Sequence, residues 1–383
     1  MISFDYQPRT RIVFGPEKID SLGELAGELG ARRALVVSDP GIVQAGHAER
    51  GLAALQRAGI EPVLFDGVAE NPTTAHVDAG LGVAKRTEPE LIVGLGGGSS
   101  MDCAKGINFL YSNGGRMPDY WGVGKALKPM LPMIAVPTTA GTGSEAQSFA
   151  LISDAVTHVK MACGDKKASF RVAILDPALT VSQPERVTAL TGIDAVSHAL
   201  ETYVTNVRNP ASLAFSREAW LLLSENFMRV LDDPTDLEAR SGMQLGACFA
   251  GLAIENSMLG ATHALANPLT AHFQVAHGQA IALMLPHVIR YNGEEFGSWY
   301  RDLLENTGGT NGSATRHTEA DVLADLVVSF AQKANLSTQL GQLGIPREQL
   351  PKLAADAAKQ WTCKFNPRPV EEAQLLELYE KAY

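Results

Sequence analysis

The stretch LIVGLGGGSSMDCAKGINFL, residues 91–110, decides the fold, because an apolar run passes without a break into Gly96, Gly97 and Gly98, then Ser99, and then a helical stretch. A strand that is apolar on successive residues is covered by helices on both faces, which is the signature of a parallel sheet. Glycines at the turn let the backbone approach a ligand closely, and the free amides at the start of the helix favour a phosphate or pyrophosphate. A tight strand-to-helix turn without a ligand would use similar residues. The arrangement differs from the Rossmann fingerprint, which sits on the first strand and is followed about 20 residues later by an acidic residue. Here the acid comes earlier: Asp39 ends RALVVSD, where a carboxylate can accept from a ribose hydroxyl and repel a 2′-phosphate, favouring NAD over NADP. Asp39 reads equally well as a cap on the helix that follows.

Outward from this stretch, RIVF (11–14), RALVVS (33–38), PVLF (62–65), MIAV (133–136) and RVAIL (171–175) read as further strands between amphipathic helical stretches. Residues 1–184 are therefore expected to form an α/β domain with a mostly parallel sheet. A second loop, VPTTAGTGSE (136–145), follows the strand MIAV and offers the hydroxyls of Thr138, Thr139, Thr142 and Ser144. Two such loops at the ends of parallel strands mark a ligand crevice. From TVSQPERVTAL onward helical periodicity dominates, with Asn209 capping a helix that begins at Pro210 and similar spacing over 236–255 and from 319, 348 and 370, so 185–383 reads as all-α. GGTNGSATRH (308–317) reads as an exposed loop.

A length of 383 residues suits two domains. The net charge of −10 argues against nucleic acid or an anionic membrane as a partner. No apolar run approaches the roughly 18 residues of a membrane helix, and the four cysteines show no disulfide or zinc-ribbon spacing, so a cytoplasmic protein is expected.

In TGIDAVSHALE (191–201), Asp194 and His198 stand four residues apart on one helix face, as a metal-ligand pair or a hydrogen-bonded core contact would. GATHALANPLTAHFQVAHGQA then supplies His263, His272 and His277. On an unbroken helix His263 and His277 would lie about 21 Å apart. Pro268 is expected to end or bend the helix, so that His277 can return toward His263.

With GGGSSMDCAKG, PTTAGTGSE, DAVSHALE, HGQAIALMLP and WTCKFNPRP in this order, the chain resembles the iron-containing (group III) alcohol dehydrogenases over essentially its whole length. The resemblance implies a dehydroquinate synthase-like architecture: a dinucleotide-binding α/β domain, a helical domain and an active site in the cleft between them. It implies metal ligands at Asp194, His198, His263 and His277, for Fe(II) or, in some members, zinc. It implies cofactor contacts at Asp39, Asn71, Gly97, Gly98, Ser99, Asp102, Thr138, Thr139, Thr142, Lys160 and Leu179; by itself Lys160 reads as an exposed basic residue. The expected reaction is metal-assisted hydride transfer between NAD(H) and a small alcohol or aldehyde, by a homodimer or larger homo-oligomer. One departure stands out, for the family commonly has a second histidine one turn after the first, and here Asn267 takes its place. Asparagine does not titrate, so the proton leaves through water and ribose hydroxyls or through His272, which joins Asn267 among the candidate catalytic residues. The alternatives are a metal- and NAD-dependent lyase resembling dehydroquinate synthase and a non-catalytic nucleotide-binding relative.

Overall fold

The computed structural model describes residues 3–157, 159–306 and 318–383, so the expected loop GGTNGSATRH (308–317) lies outside the described residues. Residues 7–183 form one compact unit, and residues 184–383 with the segment before Gln7 form another. That short N-terminal segment, expected with the α/β half, is grouped with the helices, where Tyr6 packs against Phe215 with ring centroids 5.8 Å apart.

In the first unit the main sheet has six strands: Arg11–Phe14 (β1), Arg33–Val37 (β2), Glu61–Phe65 (β3), Leu91–Gly96 (β4), Met133–Pro137 and Val172–Leu175. With Gly122–Val123 as β5, the last two are β6 and β9. The order β1-β9-β6-β4-β2-β3 is parallel throughout. All six residues of β4 are buried, as its unalternated apolar sequence requires. Helices Leu22–Glu28 (α1), Pro40–Gln44 (α2), His47–Arg57 (α3), Thr74–Thr87 (α4) and Gly98–Asn113 (α5) connect the strands. From β2 the chain runs outward to β3, and from β4 it runs the other way to β6. The neighbouring ends of β2 and β4 are thus a topological switch point, where open α/β sheets leave a crevice.

A small second sheet was not expected from the sequence. Phe149–Ser153 (β7) and Lys160–Gly164 (β8) form an antiparallel hairpin, with β5 parallel to β8. FALIS and KMACG are poor in β-branched residues, and β5 has only two residues, so none of the three stands out from a loop.

The second unit is helical: Glu185–Val204 (α6), Pro210–Asp232 (α7), Leu237–Asn256 (α8), Ala261–Phe273 (α9), His277–Asn306 (α10), Glu319–Lys333 (α11), Leu350–Ala357 (α12) and Glu372–Lys381 (α13). Asn209 caps α7, its side chain accepting from the amides of Ala211 and Ser212. Every residue of α6 from Gly192 to Val204 is buried, so this helix is enclosed on all sides. The expected break between His263 and His277 is present but does not fall at Pro268: α9 runs through the proline to Phe273. The chain turns at Gln274, in the left-handed region at φ 54°, and α10 begins at His277. Pro268 costs the helix one backbone hydrogen bond, but it is buried beside Leu265 and Leu269, whose packing holds the helix together.

Candidate metal centre and nucleotide-binding loops

Three helices bring the four candidate ligand residues together. Asp194 and His198 lie one turn apart on α6, His263 is in the first turn of α9, and His277 opens α10. The Nε2 atoms of His198, His263 and His277 lie 3.4, 3.4 and 3.6 Å from Asp194 Oδ1. His198 Nε2 and His263 Nε2 face each other at 3.2 Å. The donor atoms of Asp194, His263 and His277 all fall within 4.8 Å of one another. Close packing sets these positions. A Cβ on Gly278 would lie 2.1 Å from the carbonyl oxygen of Leu190, so only glycine lets the start of α10 rest on α6 one turn before Asp194.

The cluster fits a cation. Asp194 Oδ1 is buried and accepts no hydrogen bond, although three imidazole nitrogens surround it. Bonds of about 2.1 Å in a tetrahedral shell place ligand atoms about 3.4 Å apart, close to the spacings seen here. Burial works to raise the Asp194 pKa, but His198, His263 and His277 outweigh it and hold the carboxyl well below the usual range. Burial would lower His263, yet the adjacent Glu201 and Asp194 raise it to about 9.

Two supporting residues inside the recognised motifs had no role assigned from sequence. Glu201, 4% exposed, lies on α6 at the same face as Asp194 and His198. Its Oε1 accepts from the amides of Gly260 at 3.0 Å and Thr262 at 2.9 Å, and its Oε2 contacts His263 Nδ1. The 194, 198, 201 spacing was the available signal. Asn366, in WTCKFNPRP, accepts from the Ala261 amide at 3.3 Å and exchanges side-chain amide hydrogen bonds with Asn292 of 3.1 and 2.7 Å. It explains why a distant C-terminal motif belongs to this site.

Asn267 and His272 are placed differently from the four candidate ligands. Asn267 Nδ2 donates to Gln360 Oε1 at 3.0 Å. His272 is not brought to the cluster: it lies nine residues beyond His263, about 14 Å along α9, with its Nε2 2.8 Å from Asp356 Oδ2.

In the first unit the two loops meet at the end of β4. Gly96 has φ 147°, a conformation that favours glycine, and the Thr138 amide donates to its carbonyl at 3.0 Å. A Cβ on Gly98 would be 2.6 Å from Thr142 Cγ2, so this position favours glycine for the loops to close up, and one on Gly97 would press on Thr139 Cγ2 at 3.3 Å. Thr138 Oγ1 is buried with no hydrogen-bond partner beside this cradle, and the free amides of α5 open into it. These are fitting features for a pyrophosphate. The Asn71 amide donates to Ser99 Oγ at 3.3 Å.

Asp39 does cap α2, Oδ1 accepting from Gly41 at 3.0 Å and Ile42 at 3.1 Å, while Oδ2 accepts from Ser100 Oγ at 3.1 Å. The carboxylate is thereby fixed between the ends of β2 and β4. Asp102 accepts from Ser144 Oγ at 2.6 Å and from the Leu151 amide at 3.2 Å, and burial raises its pKa against the pull of Lys105. Lys105 is fully buried and donates to Ser144 O, Ser144 Oγ and Phe149 O at 2.7, 2.8 and 2.7 Å, bracing the hydroxyl-rich loop on α5. Lys160 is exposed at the start of β8 and acts electrostatically on Asp102. Leu179 is 1% exposed and packs in the core under the sheet, so its side chain offers no surface to a nucleotide.

Residues 8–177 match the family model for iron-containing alcohol dehydrogenase, and residues 188–383 match that for the Fe-containing alcohol dehydrogenase family, C-terminal. The chain is 33% identical over 382 residues to 1,3-propanediol dehydrogenase of Citrobacter freundii, covering 99% of each chain. It is 32% identical over 374 residues to NAD-dependent methanol dehydrogenase of Bacillus methanolicus, covering 97% of each. A solved 1,3-propanediol oxidoreductase superposes over 100% of both chains with a TM-score of 0.95 at 33% identity. These matches favour alcohol dehydrogenase activity over a lyase or a non-catalytic relative. The chain belongs to the iron-containing alcohol dehydrogenase family and is an alcohol oxidoreductase that uses an iron ion.

Proposed function

We propose that Asp194, His198, His263 and His277 hold the iron, and that the protein interconverts a small primary alcohol and its aldehyde. The observation that carries this reading is the convergence of three Nε2 atoms on the buried, unbonded Asp194 Oδ1. When bound, the iron supplies Lewis-acid polarisation of the alcohol or carbonyl oxygen, and NAD supplies the hydride acceptor. The names of the two curated relatives, a propanediol and a methanol dehydrogenase, support a short substrate.

The chain's own residues have separate tasks in this reading. The amides opening α5 at Gly97, Gly98 and Ser99 bind the pyrophosphate, with Thr138, Thr139 and Thr142 donating from the facing loop. Asp39, fixed by Ser100 and the α2 amides, presents its remaining lone pairs to the ribose and disfavours a 2′-phosphate. Asn71, Asp102 and Lys160 are taken as further cofactor contacts, and Leu179 contributes through its backbone. Asn267 cannot take a proton, and His272 is held by Asp356, so the alcohol proton leaves through water and ribose hydroxyls.

Residues 1–184 and 185–383 serve as cofactor-binding and metal-binding domains. A cytoplasmic homodimer completes the reading: all four cysteines are free, no described helix is long and apolar enough to cross a membrane, and the family resemblance supports the dimer. The test is a panel of short alcohols and aldehydes followed through NADH absorbance with the iron-loaded protein. Turnover of short primary alcohols is expected, and bound iron without turnover across the panel would overturn the substrate assignment.

A further inference from the structure

The third ligand, His263, is oriented by a carboxylate on the helix that carries the first two. We infer that Glu201 is a positioning residue that sets both the tautomer of His263 and the seat of the helix bearing it; the inference rests on the reading of His263 as a ligand. An imidazole coordinates through a nitrogen that carries no proton, so for Nε2 to ligate, the ring proton must sit on Nδ1. Glu201 Oε2 is against Nδ1 and is an acceptor only, which selects the Nδ1–H form and turns the Nε2 lone pair toward Asp194 Oδ1 and His198 Nε2.

The other oxygen does a different task. Oε1 accepts from the Gly260 and Thr262 amides, two N–H groups at the start of α9 that have no partner within the helix. Because His263 follows Thr262 directly, this anchor sets the height of the ring as well as its rotation. Asp194, His198 and Glu201 follow one another on a single face of α6, so this helix carries two ligands and the group that orients the third.

A Glu201→Gln variant separates the two tasks. Its carbonyl oxygen still accepts from Gly260 and Thr262, since two N–H donors leave no place for an NH2 group there. The NH2 then faces His263 Nδ1 and donates to it, forcing the proton onto Nε2, the nitrogen required for the metal. Zn2+ and Fe2+ affinities, measured by chelator competition on the full-length protein, are expected to fall about 10- to 100-fold, while metal-free unfolding in urea changes little. A role in anchoring α9 alone predicts unchanged metal affinity in Glu201→Gln, and that result would overturn the proposal. Histidine-labelled, Zn2+-loaded wild-type protein gives a second readout that no variant's folding can spoil. Nitrogen NMR should show His263 bound through Nε2 with Nδ1 protonated, and an unprotonated or metal-bound Nδ1 would likewise overturn it. His263→Ala is the control for the underlying reading: if it leaves affinity unchanged, the ligand assignment fails, whereas its loss of affinity beside an unaffected Glu201→Gln refutes the role of Glu201 alone.

Discussion

Gly278 carries a prediction that links packing to metal binding. It is the second residue of α10, next to His277, and an added Cβ would meet the Leu190 carbonyl oxygen at 2.1 Å, its carbon at 2.7 Å and its Cα at 2.8 Å. Carbon and oxygen atoms in contact stand about 3.4 Å apart, so Gly278→Ala must push α10 off α6 by about 1 Å. The obstacle is helix backbone, which cannot rotate away as a side chain can. Overpacking of this kind costs about 1–3 kcal/mol, and alanine's better helix propensity returns at most about 1. The shift also opens the 3.6 Å approach of His277 Nε2 to Asp194 Oδ1. Ligand distances tolerate only about 0.2 Å, so one of four bonds is lost, and affinity should drop on the order of 100-fold. Urea unfolding of the metal-free protein and a chelator-competition titration read the two effects separately. Wild-type stability together with wild-type affinity would refute the claim that this contact seats His277.

Three further outcomes are expected. Asn267→His should add an ionisation with a pKa near ~6.5 to the pH profile of kcat/KM, and an unchanged profile would mean that position 267 does not reach the proton path. Gly98→Ala, whose Cβ would lie 2.6 Å from Thr142 Cγ2, should raise the KM for NAD about tenfold with thermal stability nearly intact, whereas unchanged NAD kinetics would place the pyrophosphate elsewhere. His287 is held down at about 4, first by burial and then by Arg290 and Lys381, against about 6.5 in an unfolded chain. Protonation therefore favours unfolding: the stability is complete above pH ~6.5 and is lost as the pH falls toward 4. The loss amounts to about 2 kcal/mol for a ring that solvent partly reaches. Urea titrations across that range should show this acid limb in wild type and a flatter one in His287→Gln; identical limbs would sink the assignment.

The parallel sheet was legible because its strands are apolar on successive residues and end in loops with strong composition, GGGSS after β4 and PTTAGTGSE after β6. The hairpin of β7 and β8 was not, since its residues carry no strand signal beyond their pairing with each other. The spacing of Asp194 and His198 left a metal-ligand pair and a hydrogen-bonded core contact both open, and the resemblance to the family was needed to favour the first. His263 and His277 needed a turn whose place the sequence misdirected: Pro268 looked like the break, while the turn is made by Gln274, an ordinary residue forced into the left-handed region. Of the two readings of Asp39, the helix cap is the one observed, with the other oxygen held by Ser100 at the switch point. Glu201 and Asn366 escaped notice because their partners, at Gly260–His263 and Asn292, are more than 50 residues away in the chain.

X-ray absorption at the iron edge tests the central claim most directly. Iron-loaded protein should show a first shell of oxygen and nitrogen near ~2.1 Å with the outer-shell scattering of three imidazoles, falling to two in His277→Ala. A sulfur shell, or an imidazole count that His277→Ala leaves unchanged, would contradict the four-residue site.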